Sequence, residues 1–323
     1  MHVVDEVLRY AWGGYRVWAA TSRKLKKQVA RWGFFVLLLT LAGTALGTIV
    51  PHLGLQPPLS ATLPWLAAAA LGTATYFASQ LLNESAREAW VKTRALAEAL
   101  KSESYKYVTR TAPYNVDGAP LVLAQRVDEL QRIASGIIAE SISEDERAKD
   151  APSGPWAIDD YIKGRVRDQI DNFYQPAIVH HRRAVQTARV AALGLGALAV
   201  VLSASGGASG GGSGTWIAAL LGTVTTAAAA IGAWFQSGHH QQNALNYQAA
   251  AAKLELLLAQ RHVSGREAHL VMDAEAIFQA EHSAWLTEWQ ASSPPLLPSA
   301  PASGRSDSQG MSAEPLSKRV EKP

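Results

Sequence analysis

From Trp32 to Val50 the chain reads WGFFVLLLTLAGTALGTIV, an uncharged run about as long as a helix needs to cross roughly 30 Å of hydrocarbon. A second uncharged run, TLPWLAAAALGTATYFASQLL from Thr62 to Leu82, opens near a Pro-Trp pair suited to a helix start at a membrane interface. A third, VAALGLGALAVVLSA from Val190, is shorter and rich in Gly and Ala, and alone it would pass for a buried helix of a soluble protein. Its partner is TWIAALLGTVTTAAAAIGAWF, Thr215 to Phe235, bounded by Trp216 and Trp234 as by an aromatic belt. Core helices of a soluble bundle carry a polar stripe, and these runs carry none. The reading is therefore an all-α membrane protein with four transmembrane helices, arranged as two tandem hairpins.

Arg23, Lys24, Lys26, Lys27 and Arg31 precede the first run, which invites comparison with a signal peptide. The leader is too long, the apolar run exceeds a usual signal-peptide core and no A-x-A site follows it cleanly, so the run reads as an uncleaved span. The segments Pro51 to Ala61 and Ser203 to Gly214 hold no Lys, Arg, Asp or Glu, whereas basic residues cluster at Arg23 to Arg31, Arg87 to Arg94 and Arg182 to Arg189. This asymmetry predicts an inner-membrane protein with both termini and the long middle segment in the cytoplasm. The Gly-rich stretch SASGGASGGGSGTW then reverses the chain outside the hydrocarbon, since open backbone is not tolerated in lipid.

The features repeat in order: basic approach helix, span, uncharged loop, span, polar exit helix. Residues 1–31 read as the first approach helix, 32–82 as the first hairpin, 83–142 as cytoplasmic helices of the first unit and 143–157 as a charged, Pro/Gly-punctuated linker. Residues 158–189 read as the second approach helix, 190–235 as the second hairpin, 236–290 as cytoplasmic helices and 291–323 as a disordered tail. Within the middle segment Leu123, Val127, Leu130, Ile133 and Ile137 fall on one helical face. Tyr161, Arg165, Gln169 and Phe173 recur every four residues along the second approach helix, and the closing helix, Ala268 to Gln290, carries Glu275, Glu281, Trp285 and Trp289.

Composition narrows the chemistry. The 323 residues contain no cysteine, which removes disulfides, thiolate metal sites and cysteine nucleophiles by inventory. Basic and acidic residues are interspersed and leave a net charge of only +3, so no nucleic-acid partner is expected. The glycine-rich GGASGGGSG lacks the Gly-Lys-Ser/Thr ending of a phosphate-binding loop. No acid/base or nucleophile cluster converges, so the chain does not read as an enzyme, and no cofactor is expected. No ionisable residue lies within a span, which disfavours a proton-relay transporter.

Thr40, Thr44 and Thr48 repeat every four residues, with two readings: a hydroxyl-lined pore, or hydroxyls each bonded to the carbonyl one turn earlier. Gly43, Gly47, Ala192, Gly196 and Gly222 are candidates for close helix packing, within or between copies. His180/His181 and His239/His240 flank the second hairpin. Four imidazoles there suit zinc or pH sensing, but adjacent helical residues point about 100° apart, so the plainer account is weakly basic flanks and no metal is expected. Lys101, Tyr105, Tyr107, Arg110 and Arg165 are candidates either for contacting an anionic signal or partner protein, or for pairing with acidic neighbours such as Glu98 and Glu103 inside a helical bundle.

AEALKSESYKYVTRTAPY, with Glu98, Lys101, Tyr105, Tyr107, Pro113 and Tyr114, resembles the segment after the second span in one subfamily of the SLATT family. These are two-transmembrane effector domains associated with SMODS nucleotidyltransferases and SLOG sensor domains. YIKGRVRDQIDNFY resembles the approach helix of another subfamily, and VMDAEAIFQAEHSAWLTEW its closing helix. The resemblance implies an effector of a bacterial conflict or anti-phage system that permeabilises the membrane on a signal. A homo-oligomer in the lipid bilayer, coupled to a signalling or sensor protein, is the arrangement it suggests. The alternatives are an oligomeric membrane scaffold and a small constitutive ion channel.

Overall fold

The computed structural model describes residues 3–81, 84–208, 212–263 and 265–291, so the tail read as disordered lies outside the described residues. The described residues are mostly helical and contain no strand. The first long helix, α1 (Val3–Ile49), is uninterrupted over 47 residues, roughly 70 Å at 1.5 Å per residue. It is followed by α2 (Leu59–Leu81), α3 (Glu84–Val108), α4 (Ala119–Arg132), α5 (Glu144–Ala148) and α6 (Ile158–Tyr161). Through two wide π-type turns α6 runs on into α7 (Gln175–Ala208), and α8 (Gly212–Ser237), α9 (His240–Ala259) and α10 (Leu270–Ala291) complete the chain.

Three helical stretches are long and apolar enough to cross a membrane: Glu6–His52, Ile158–Ser205 and Trp216–Ala259. The sequence reading gave four. The remaining run forms α2, an uncharged 23-residue helix, but Pro64, Trp65, Tyr76 and its threonines and serines dilute its apolarity. At the apolar end α1 packs against both α2 and α8, and α8 packs against α7. Large side chains there face outward, with Trp65, Val190 and Leu193 each at least 70% exposed. The loop expected from Ser203 to Gly214 is shorter than the sequence suggested. Helix α7 persists to Ala208, its Ser205 hydroxyl donating to the Val201 carbonyl inside the helix, while 209–211 lie outside the described residues.

The other end is a helical bundle with a core of its own. It takes Leu8 and Trp12 from α1, Leu96 and Leu100 from α3, Leu123 and Val127 from α4, Ile170 and Tyr174 before α7, Leu254 from α9 and Ala274 from α10. The Trp12 indole sits edge-on to Tyr105, with centroids 5.7 Å apart, and donates from Nε1 to the Lys149 carbonyl (2.9 Å). That bond docks the segment 143–157 on α1. Ser143 caps α5 by accepting from the Glu146 amide (3.3 Å), and Arg16 pairs with the Glu146 carboxylate.

Two helical faces depart from simple periodicity. On α4, Leu123, Val127 and Leu130 are buried as expected, but the helix stops at Arg132. Ile133 is therefore turned out to 48% exposure, and Ala134 takes its place in the core. On the second approach helix the π-type turns add a residue per turn. The buried set is Tyr161, Ile162, Arg165, Val166, Ile170, Tyr174 and Ile178, and Gln169 and Phe173 are displaced from it. Between α8 and α9, His239 adopts a left-handed φ of 46° and breaks the helix; the buried Asn243 amide donates to the Gly238 carbonyl freed by the break (3.2 Å).

Candidate functional site

The strongest electrostatic feature lies where α6, α3 and α10 meet. Arg165 is 2% exposed and its guanidinium grips Glu275, itself 1% exposed. Nε donates to Oε1 at 3.0 Å and Nη2 to Oε2 at 3.3 Å, and the Tyr161 hydroxyl adds a third bond to Oε1 at 2.9 Å. The guanidinium carbon lies over two aromatic rings, 4.3 Å from the Phe278 centroid and 5.0 Å from that of Tyr105. Burial opposes charge on Arg165, but Glu275 more than compensates and raises its pKa above the ordinary value. A buried pair of this kind contributes little net stability, yet it fixes which residues face each other, because either charge without the other is costly.

Beside the pair is a cavity of about 280 Å³, bounded by α3, the π-type turns and α10. Arg165 Nη1, Ser102 Oγ and Glu281 Oε1 border it and have no hydrogen-bond partner among the described residues. Glu98 also lines it. Burial works against the Glu98 charge, but Lys101, Arg165 and Arg94 outweigh that effect and hold its carboxyl below the usual range. Glu281, 4.0 Å from Arg94, goes the other way: burial pushes it up to about 7, although Arg94 pulls it down. Burial lowers the neighbouring His282 to about 4. The cavity is thus a low-dielectric chamber holding both signs of charge, suited to water or to a small polar ligand and sensitive to the relative placement of α3 and α10.

The five residues singled out for signal or partner contact fall into two groups. Lys101 lies over the Tyr15 ring (5.5 Å) beside Glu98, and Tyr105 is buried under Arg165 against Trp12, Trp156 and Tyr161, so Lys101 and Tyr105 lie around the central pair to which Arg165 belongs. Tyr107 instead stacks edge-on with Tyr114 (5.6 Å) and, with the exposed Arg110 at φ 51°, lines a separate cavity. Arg94, Ser102, Glu281 and His282 border the central cavity and were not singled out as contact residues from sequence, although Arg94, Glu98 and Ser102 recur every four residues on α3. The Trp285 and Trp289 side chains lie outside the described residues.

In the apolar end, the Thr40 hydroxyl donates to the Val36 carbonyl (2.8 Å) and that of Thr48 to the Thr44 carbonyl (2.7 Å). Thr48 also meets the hydroxyl of Thr223 on α8, linking the two hairpins. At Gly43 α1 and α2 approach closely: a Cβ there would fall 2.7 Å from Leu71 Cγ and 3.1 Å from the Ala67 carbonyl oxygen. Gly47 faces Ala67 more loosely, Gly196 and Gly222 face open space, and Ala192 lines a cleft between α7 and α8. Of the four histidines that flank the second hairpin, His181 and His240 meet through their Nδ1 atoms (2.8 Å), with the His180 ring 6.2 Å from that of His240. Among the described residues no group of three or more His, Asp or Glu is placed to hold a metal ion.

Residues 161–285 match the family model for SMODS and SLOG-associating 2TM effector domain 1. Residues 16–118 match a second model, a protein family of unknown function, DUF4231. Each match contains one apolar hairpin and its polar exit helix, and the match over residues 161–285 contains both members of the Arg165–Glu275 pair. No curated protein and no solved structure matches the chain.

Proposed function

We propose, from the match of residues 161–285 to the SLATT effector-domain model, a pore-forming or membrane-perturbing effector of a bacterial conflict system, triggered by a signal acting on its cytoplasmic bundle. In this reading α1, α2, α7 and α8 supply four spans in the inner membrane. Both termini are cytoplasmic, copies assemble in the bilayer, and the chain has no catalytic chemistry of its own. The supporting observation is continuity. Helix α1 runs from Trp12 in the bundle core to Thr48 at the contact with α8, and the helix beginning at Ile158 runs from Arg165 through the apolar stretch to Ser205. A shift of α10 against α3 at the central cavity would be carried along rigid rods into the apolar end, where the hairpins touch through small residues and hydroxyls. Two states differing in that packing would be biased by whatever binds the bundle.

Induced expression in bacterial cells with simultaneous membrane-potential and impermeant-dye readings tests this. Depolarisation or dye entry on expression or on phage challenge is the expected result. Unchanged permeability at high expression under both conditions overturns it. Valine at Thr40, Thr44 and Thr48 together should alter the conductance if these hydroxyls line the path. A Gly210→Cys variant should react with an impermeant thiol reagent from outside intact cells, and labelling only after lysis overturns the topology.

A further inference from the structure

Between α7 and α8, at the end nearest the polar bundle, a cleft of about 490 Å³ opens sideways, within the roughly 300–1,000 Å³ range of small-ligand sites. Its two ends differ chemically. Deeper along the hairpin the walls are Ala188, Ala192 and Leu195 of α7 and Ala228, Ile231 and Phe235 of α8, with no polar side chain among them. Gly232 leaves the floor open, since nothing lies within 4 Å of where its Cβ would be. At the mouth the lining turns polar, with Arg189, Gln236, His239 and His240.

The charge at this mouth is one-sided. From Asn172 to Leu254 the sequence contains no Asp or Glu, while Arg182, Arg183, Arg189 and Lys253 lie within the same interval. Among the described residues no carboxylate pairs with Arg189, which is exposed at the rim. A groove with apolar walls, ending at a cation and hydrogen-bonding amides and imidazoles, matches an amphiphile with a long hydrocarbon tail and an anionic head. A neighbouring helix fits less well: α7 and α8 are themselves in contact, and the cleft between them cannot admit a cylinder about 10 Å across, whereas an acyl chain is one methylene wide.

We infer that the α7–α8 cleft is a binding site for an anionic phospholipid, one acyl chain lying along Ala192, Ala228 and Gly232 and the phosphate held at the rim by Arg189. The inference rests on the reading of α7 and α8 as membrane spans. It adds a lipid that would hold the second hairpin in one packing and thereby favour one state of the assembly.

The full chain, purified in detergent, is titrated with phosphatidylglycerol or phosphatidylcholine of identical acyl chains and the bound lipid counted by native mass spectrometry. Phosphatidylglycerol should be retained several-fold better. Arg189→Gln should lower that preference about fivefold, the effect of one cation at an anionic lipid surface, and Arg189→Lys should preserve it. Gly232→Leu, which fills the floor, should reduce retention of both lipids while circular dichroism shows the helices intact. Equal retention of the two lipids, or an Arg189→Gln variant with unchanged preference, overturns the assignment. So does efficient cross-linking of Ala192→Cys to Ala228→Cys between copies, which would make the cleft a contact within the oligomer. A carbonate wash of the membranes separates the two levels: release of the chain into the supernatant defeats the membrane reading itself, whereas a chain that stays in the pellet without lipid preference defeats only the lipid site.

Discussion

Arg165 and Glu275 are joined by two hydrogen bonds across a sequence separation of 110 residues, in a site where neither side chain is more than 2% exposed. Both lie inside the SLATT-matching segment, so the pair ties the approach helix of that unit to its closing helix. Replacing one partner strands the other charge in low dielectric. Arg165→Met should therefore cost about 3–5 kcal/mol, and adding Glu275→Leu should recover most of that loss. Thermal unfolding of the detergent-solubilised single and double variants checks this; a double variant no more stable than the single would mean that Arg165 acts chiefly through its aromatic contacts with Tyr105 and Phe278.

Thr48 and Thr223 supply a polar link between the hairpins. Hydrogen bonds between apolar helices average about 0.6 kcal/mol and reach about 1.7, so Thr48→Val should weaken the α1–α8 contact only slightly. The expected signature is a small loss of thermal stability with a measurable change in the threshold for membrane depolarisation. Thr40→Val, whose hydroxyl bonds within its own helix, should leave both nearly unchanged.

Glycine at two positions is required by close approach. A Cβ at Gly164 would sit 2.7 Å from the Trp156 ring, which covers Tyr105 and is anchored by its amide to the Val108 carbonyl (2.8 Å). Gly164→Ala should displace that indole and destabilise the bundle by about 1–3 kcal/mol, the usual cost of overpacking. Gly43→Val should likewise force α1 from α2 at Leu71 and Ala67. The check is disulfide formation between cysteines introduced across that contact, which should slow in the valine variant.

Much of this was legible in the sequence, because the absence of charge over a helix-length run is a local property and survives any tertiary arrangement. Arg165, Tyr161 and Glu275 could each be singled out on their helices, as could the small-residue face around Gly43. Their pairing could not, since nothing local says that residues 110 apart will meet. The four-residue recurrence of Tyr161, Arg165, Gln169 and Phe173 does not mark the buried face beyond Arg165, because the turns that follow are wider; Ile170 and Tyr174 are buried in place of Gln169 and Phe173. The cavity residues Arg94, Glu98 and Ser102 did leave a trace, a polar ladder at four-residue spacing on α3, but such a ladder reads equally as a solvated face until α10 is laid across it.

Glu281 and His282 give the bundle a pH response whose two parts oppose each other. The Glu281 carboxyl is raised by burial from 4.5 to about 7, so over that interval the unfolded chain releases a proton that the folded chain keeps, and stability falls as pH rises. The contribution is at most ~3 kcal/mol and is fully lost above pH 7. The His282 imidazole is lowered by burial from 6.5 to about 4, so the unfolded chain takes up a proton first on acidification, and stability falls as pH drops through that window. Where the windows overlap, between about pH 4.5 and 6.5, the slopes cancel. Glu281→Gln removes one of them. The variant should match the parent near pH 4, exceed it by ~1–3 kcal/mol at pH 8, and gain stability steadily from about pH 4.5 to 6.5 where the parent stays flat. Melting temperatures of both proteins across pH 4–8 decide it: a Glu281→Gln variant less stable than the parent at pH 8 would mean that the ionised carboxylate is needed to hold Arg94, 4.0 Å away.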